Sequence, residues 1–400
     1  MDKYKQLEKK LNKIEKKIRE KKQVRTRHKL RYKKDKKIHN HTIKRPYKQP
    51  VNIHNFNKRV ISSYSPTINQ DLVTLASIPR EDIDSCNLKE AYQLKEPLKI
   101  KIKTNNYNNA ICKEYFMPDA EAVLLSNLKA NKHVDPAKIV PPIQSHGNCW
   151  FNAFFVTFFI SDKGRKFFHF LRQLMIKGIQ KNNTPIPSNL RDVFALLNFG
   201  IDSCLQGNPF AYKLDTNSII FDLFRQIPDS YKEDYPEIVN VDDAGNPVTY
   251  YMSIINYLNN NSIQLLFLRY ADVSWKDTLT IAIKKRSHLP HIIVIEIFED
   301  QAKKFNRKPI TFNVNNAKYQ LDSAVVRDTE QEHFCATITC EGKEMGYDGM
   351  STYRLAPFEW KKILNTDYSW EFGGSNHANG TPMKWNFMKS YQLLTYYRIE

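Results

Sequence analysis

The sequence predicts an α+β protein, with a helical part from Cys149 to about residue 198 and a strand-rich part over about 260–400. Three observations carry that expectation. The run CWFNAFFVTFFI from Cys149 is aromatic, apolar and free of helix breakers, as a buried helix requires. The stretch HFCATITC from His333 alternates Phe334, Ala336 and Ile338 with Cys335, Thr337 and Thr339, the pattern of a half-buried strand. The chain also holds 23 Phe, 21 Tyr and 5 Trp in 400 residues, enough to build a core and to exclude a globally disordered protein.

From the N-terminus, the first feature is charge. Residues 1–50 hold 21 Lys and Arg against 5 Asp and Glu, a balance of +16, whereas the remaining 350 residues hold 40 against 37, leaving +3. The +19 of the whole chain therefore describes an arm on a nearly neutral body. Leu7, Leu11, Ile14 and Ile18 step by four, three and four, a two-heptad apolar seam that a free helix of that length holds only marginally. Residues 24–48 read as a polybasic arm. It is either a contact for nucleic acid, an anionic surface or an acidic partner, or a solvated tail in a lysine-rich proteome, since Lys outnumbers Arg 44 to 17.

Residues 51–140 read as a linker and accessory segment, with a strand-like piece at 98–103 and a helix at 119–128 capped by Asp119 after Pro118. Residues 141–400 form the remaining body of the chain. No apolar stretch approaches the roughly 18 residues of a membrane-spanning helix, and Met1 is followed by charge instead of a secretory signal. The six cysteines are scattered without a CxxC pair, so reduced thiols and an intracellular setting, cytoplasm or nucleus, are expected. A zinc site from His333, Cys335 and Cys340 lacks a second ligand pair, so neither metal nor cofactor is expected. Residues 200–260, with an acidic stretch at 229–243, read as a surface loop or a substrate-facing insertion, the loop being the simpler.

The chemistry concentrates at QSHGNCW. Gly147 and Asn148 favour a tight turn that delivers Cys149 to the first turn of the buried helix, where free backbone N–H groups and the helix dipole favour a thiolate. Gln144, five residues upstream, is a side-chain amide suited to joining those N–H groups in an oxyanion hole. A thiolate mechanism needs a base. His333 opens a strand, and a tight turn with a returning strand brings Asp348 back beside it, where a carboxylate can orient the imidazole.

These residues resemble the ubiquitin-specific proteases, cysteine peptidases of papain-like fold. Gly147-Asn148-Cys149-Trp150-Phe151-Asn152-Ala153 is similar to their Cys box with one residue missing before the cysteine, and Gln144 stands at the position of their oxyanion amide. Leu289-Pro290 leads into an apolar strand, Tyr319, Leu321, Val325 and Val326 precede a His box at His333-Phe334, and Asp348 follows. Tyr391, Leu393, Tyr397 and Arg398 resemble the closing strand. The CxxC pairs of the family's zinc fingers are absent, and Glu332 stands where a glycine is usual. The Cys box is also similar to that of the ovarian-tumour deubiquitinases, with His146 in place of an Asp.

The resemblance implies a papain-like catalytic domain over residues 141–400, with helical and antiparallel β subdomains facing each other across a cleft. It implies a thiol protease of peptide or isopeptide bonds, a deubiquitinase with Cys149, His333, Asp348 and Gln144 as its catalytic set, and ubiquitin or ubiquitin-like conjugates as partners. A viral maturation protease, or a peptidase of another ubiquitin-like protein, remains open within the enzymes. So do an acyltransferase or transglutaminase, and, from another class, a nucleic-acid-binding or packaging protein on an inactive scaffold. The composition suits a large DNA virus, which makes the virion a further location.

Overall fold

In a computed structural model, the structure describes residues 82–88, 94–103, 110–180, 182–232, 238, 242–260, 263–269, 274–286, 288–305 and 307–400. The chain divides into two units, 1–43 and 44–400, and the first lies wholly outside the described residues, as do the heptad seam and polybasic arm.

The second unit opens with a hairpin of β1 (Lys99–Lys103) and β2 (Ala110–Glu114), followed by α1 (Pro118–Ala130). Pro118 sits at the first helical position, where its missing N–H costs nothing, and Met117 is the cap residue. The capping expected of Asp119 is therefore corrected: it lies inside the first turn and acts there on the helix dipole. The helices α2 (Cys149–Phe155), α3 (Asp162–Phe167), α4 (His169–Lys177), α5 (Arg191–Gln206), α6 (Thr216–Gln226) and α7 (Pro247–Tyr257) follow. A π-helical turn at Val156–Ile160 extends α2. The loop expected over 200–260 is also corrected. Most of that stretch is helical, with Ile219, Ile220, Leu223 and Phe224 buried from α6 and Val248, Tyr250 and Tyr251 from α7.

The remaining strands form an eight-stranded sheet. Its order is β3 (Leu265–Leu268), β4 (Ile292–Ile297), β10 (Gln392–Arg398), β6 (Ala317–Arg327), β7 (Phe334–Cys340), β8 (Lys343–Tyr347) and β9 (Leu355–Pro357), with β5 (Thr311–Val314) on β6. A helix, α8 (Trp275–Lys284), connects β3 to β4, which is why that pair alone runs parallel. The molecule is thus a mixed α+β protein.

The sheet is covered on both faces. Val294, Val325, Ala336, Ile338, Leu393 and Tyr397 join the helical core that includes Trp150, Phe155 and Phe158. Ile293, Ile295, Leu321, Val326, Cys335 and Tyr396 join a second core with Trp360, Trp370, Trp385 and Phe387. The half-buried strand expected at β7 is corrected accordingly: it lies between β6 and β8, and both faces are buried. Leu98, Ile100, Tyr115 and Leu124 belong to the same core as the residues after 141, so no break in packing marks the expected boundary at 140.

Cys86 and Cys112 form a disulfide, which corrects the expectation of reduced thiols for these two. Ser85 bridges to Ile100 and Cys112 pairs with Lys101, so two segments flanking β1 bring their thiols together across 26 residues of sequence. No helix among the described residues is long and apolar enough to cross a membrane.

Candidate active site

Cys149 is the first residue of α2, and 7% of its surface is exposed, so the thiol sits at the edge of the core. Helix geometry leaves the N–H groups of this first turn without partners inside the helix. The turn before it is tightly fixed. His146 takes a positive φ of 51°. The buried Asn148 side chain accepts from Ser145 N at 3.0 Å and donates to Ser145 Oγ at 3.3 Å and to Thr216 Oγ1 at 3.1 Å. Asn152, one turn along α2, donates to the Ile143 carbonyl at 3.0 Å and accepts from Thr216 Oγ1 at 2.6 Å. Asn148 and Asn152 therefore hold the turn through the start of α6.

His333 and Asp348 arrive from the end of β7, against which α2 packs, and from the end of β8. β7 and β8 are joined by the two-residue loop Glu341-Gly342, with φ of 48° and 70°, the left-handed conformation that a tight hairpin needs. Glutamate is unusual there. Its backbone N–H donates to Asp162 Oδ1 at 2.6 Å, Gly342 N donates to Asp162 Oδ2 at 2.9 Å, and the Glu341 carboxylate pairs with Arg165. These contacts tie the hairpin turn to α3. At its other end, the register that pairs Ala336 with Tyr347 sets Asp348 across from Cys335, two residues from His333.

His333 Nε2 lies 2.6 Å from Asp348 Oδ1, and the Cys149 sulfur lies near enough to the same imidazole to act on its charge. With Nε2 engaged by Asp348, Nδ1 is the nitrogen that remains for the thiol. Burial pushes the His333 pKa down, but the Asp348 carboxylate and the Cys149 sulfur outweigh it and raise it to about 10. Burial pushes Asp348 up, and His333 with two further hydrogen bonds holds it below its ordinary value. The arrangement favours a charged imidazolium beside the Asp348 carboxylate.

Gln144 sits between these elements. Its backbone N–H donates to the Gly349 carbonyl at 3.0 Å, while Tyr347 OH reaches the Pro142 carbonyl at 2.9 Å and Arg354 Nη1 the Pro141 carbonyl at 2.8 Å. The segment 141–144 is thereby laced to the end of β8. The Gln144 side chain donates Nε2 to the His146 carbonyl at 2.5 Å, and its buried Oε1 has no hydrogen-bond partner among the described residues. His146 itself is exposed and 3.5 Å from Asp242.

The other thiols differ from Cys149. Cys204, Cys335 and Cys340 are fully buried, and burial pushes each of them well up. Cys335 and Cys340, five residues apart on one strand, join opposite cores, so they do not converge with His333 on a common point. Among the described residues no group of three His, Cys, Asp or Glu side chains is arranged to hold a metal ion.

Two residues of the site had no sequence signal of their own. Asp328 accepts from the backbone N–H groups of Glu332 and His333, both at 2.6 Å, and of Glu330 at 2.9 Å, which fixes the turn that carries His333. Ser375, from a segment far downstream, donates to Asp348 Oδ2.

No protein-family model and no curated protein matches the chain. Among solved structures it is similar to an essential yeast splicing factor, at 12% identity over 76% of this chain and 84% of that chain, with a TM-score of 0.40. It is also similar to the SAGA DUB module Ubp8/Sgf11/Sus1/Sgf73 bound to monoubiquitin, at 9% identity over 65% and 69% of the two chains and a TM-score of 0.39. The same module bound to ubiquitin aldehyde gives 10%, 65%, 70% and 0.38. At these TM-scores the likeness carries no weight for the chemistry of this chain, which rests on its own residues.

Proposed function

We propose that this chain is a cysteine-type hydrolase of peptide or isopeptide bonds, of papain-like architecture, and that ubiquitin or a ubiquitin-like protein is its substrate. One observation carries the chemistry: a single buried imidazole bonded to Asp348, with the thiol at the start of α2 near enough to act on its charge. In this reading the Cys149 proton resides on His333 as the imidazolium, and the Sγ thiolate attacks the carbonyl carbon. The tetrahedral oxyanion is met by N–H groups of the first turn of α2 and by the Gln144 amide, once that amide turns from the His146 carbonyl. His333 then protonates the leaving amine, and water, deprotonated by His333, releases the acyl group from sulfur.

The substrate class is supported by the Cys-box, His-box and closing-strand resemblances of the sequence. A viral maturation protease is the second enzyme reading, and an inactive scaffold carrying a basic arm is the reading from another class. An intracellular location belongs to the same proposal. The test is hydrolysis of a fluorogenic ubiquitin C-terminal amide by the wild type and by Cys149→Ala. Turnover that vanishes in the variant supports the reading. Thiol-dependent cleavage of other peptides without ubiquitin turnover moves the substrate elsewhere, and no thiol-dependent hydrolysis of any substrate overturns the enzyme reading.

A further inference from the structure

We propose that Ser375 is a positioning residue of the Cys149–His333–Asp348 set, its hydroxyl holding the carboxylate of Asp348 turned toward the imidazole. The purpose of that contact rests on the hydrolase reading above, but its test does not need a substrate.

Asp348 has two oxygens with separate partners. Oδ1 meets His333 Nε2 and accepts from Met350 N at 3.0 Å, whereas Oδ2 is held by Ser375 Oγ. The Ser375–Asp348 contact is fully buried on both sides, so no solvent competes for it. A carboxylate bonded at one oxygen only can rotate about its χ2. Anchoring the second oxygen removes that freedom and aims the first at the ring.

The backbone under Ser375 is built for a fixed position. Its N–H donates to the Phe372 carbonyl at 3.1 Å, and its carbonyl accepts from Met383 N at 3.0 Å. Thr352 N donates to the Gly373 carbonyl at 3.0 Å, tying the segment to the loop after Asp348. Gly374 has a φ of +96°, and a Cβ there would meet Thr352 Oγ1 at 2.9 Å, so only glycine permits this approach.

The same segment reaches the other half of the pair. The Trp385 ring lies edge-on to His333 at 6.0 Å, and His377 Nδ1 is 2.9 Å from Glu332 Oε2, beside the turn that Asp328 fixes. Residues 370–386 thus hold Asp348 through Ser375 and flank His333 through Trp385 and His377.

The readout is the rate at which iodoacetamide alkylates Cys149, followed by site-resolved mass spectrometry from pH 5 to 10. Besides His333 and Asp348, the titratable and charged groups around this cluster are Cys149, Cys335, Tyr347, Asp328, Arg354 and Cys204, with Glu332 and His377 at the turn beside His333. Burial pushes Cys335 and Tyr347 well up, so the profile reads the His333–Asp348 pair.

Ser375→Ala is expected to slow alkylation about tenfold at pH 6, as one charge-assisted hydrogen bond would, and much less at pH 9. In an Asp348→Asn background the same substitution should have no further effect. Ser375→Cys, which fills the space with a weak donor, replaces Ser375→Ala if the alanine variant loses its native near-ultraviolet circular dichroism. An unchanged pH profile, or an equal loss in the Asp348→Asn background, overturns the proposal. A wild type that alkylates as expected but hydrolyses nothing defeats the hydrolase reading and leaves this inference standing.

Discussion

His333 Nε2 and Asp348 Oδ1 lie 2.6 Å apart in the core although fifteen residues separate them in the chain. The β7–β8 hairpin makes that possible by returning on a two-residue loop. Asp348→Asn keeps the shape and removes the charge that supports the imidazolium. We expect kcat to fall by about 10²–10⁴-fold with little change in KM, the range associated with losing a general base and its orienting group. Steady-state kinetics on the fluorogenic ubiquitin amide checks it, and a fall confined to KM would assign Asp348 to substrate binding.

Gly349 tests the placement of Gln144. A Cβ at Gly349 would stand 2.9 Å from Gln144 N and from the Tyr347 hydroxyl oxygen, and 3.1 Å from Gln144 Cβ. Gly349→Ala should push the 141–144 segment off the end of β8 and lower turnover, while the fold, held by two separate cores, keeps its native circular dichroism. Wild-type turnover in this variant would mean that Gln144 need not stay beside Asp348.

Asp162 anchors the far end of the hairpin, accepting from Glu341 N and Gly342 N and pairing with Arg165 at 3.2 Å. Asp162→Ala strips a partner from a buried ionic cluster, a change that costs about 3–5 kcal/mol in such settings. Chemical denaturation measures it. A loss below 1 kcal/mol would show that the hairpin turn stands without α3.

Lys308 supplies a pH signature of opposite sign to that of His333. Its ammonium is buried, donates to the Phe387 carbonyl at 2.9 Å, and has its pKa lowered by burial from 10.5 to about 7. The unfolded chain therefore binds more protons than the folded one between pH 7 and 10.5, so this residue makes stability rise with pH across that window. His333, raised from 6.5 to about 10, contributes fully below pH 6.5 and loses its contribution as pH rises toward 10. Comparing wild type with Lys308→Met isolates the first effect: the wild type should gain on the variant from pH 7 to 10, and a constant difference in unfolding free energy would contradict it.

What the sequence made visible is local. Cys149 stood out because a turn and a breaker-free apolar run are adjacent to it, and the pairing of His333 with Asp348 follows from one hairpin. The burial of β7 on both faces was not visible, because the helices that cover one face and the Trp-rich segment that covers the other lie far away in the chain. The helical period of Ile219, Ile220, Leu223 and Phe224 is present but interrupted by Asn, Asp and Pro on both sides, which is how a loop was expected there. Asp328, Ser375 and the Cys86–Cys112 disulfide depend on long-range pairing, and no residue spacing announces them.

The central claim is that Cys149 is a nucleophile activated by His333. Brief treatment with iodoacetamide at pH 6, read by mass spectrometry for each free cysteine, tests it most directly. Alkylation of Cys149 ahead of Cys204, Cys335 and Cys340 is expected, with loss of that preference in His333→Ala. Equal reactivity of Cys149 in wild type and His333→Ala, or no reaction of Cys149 in the folded wild type, would contradict it.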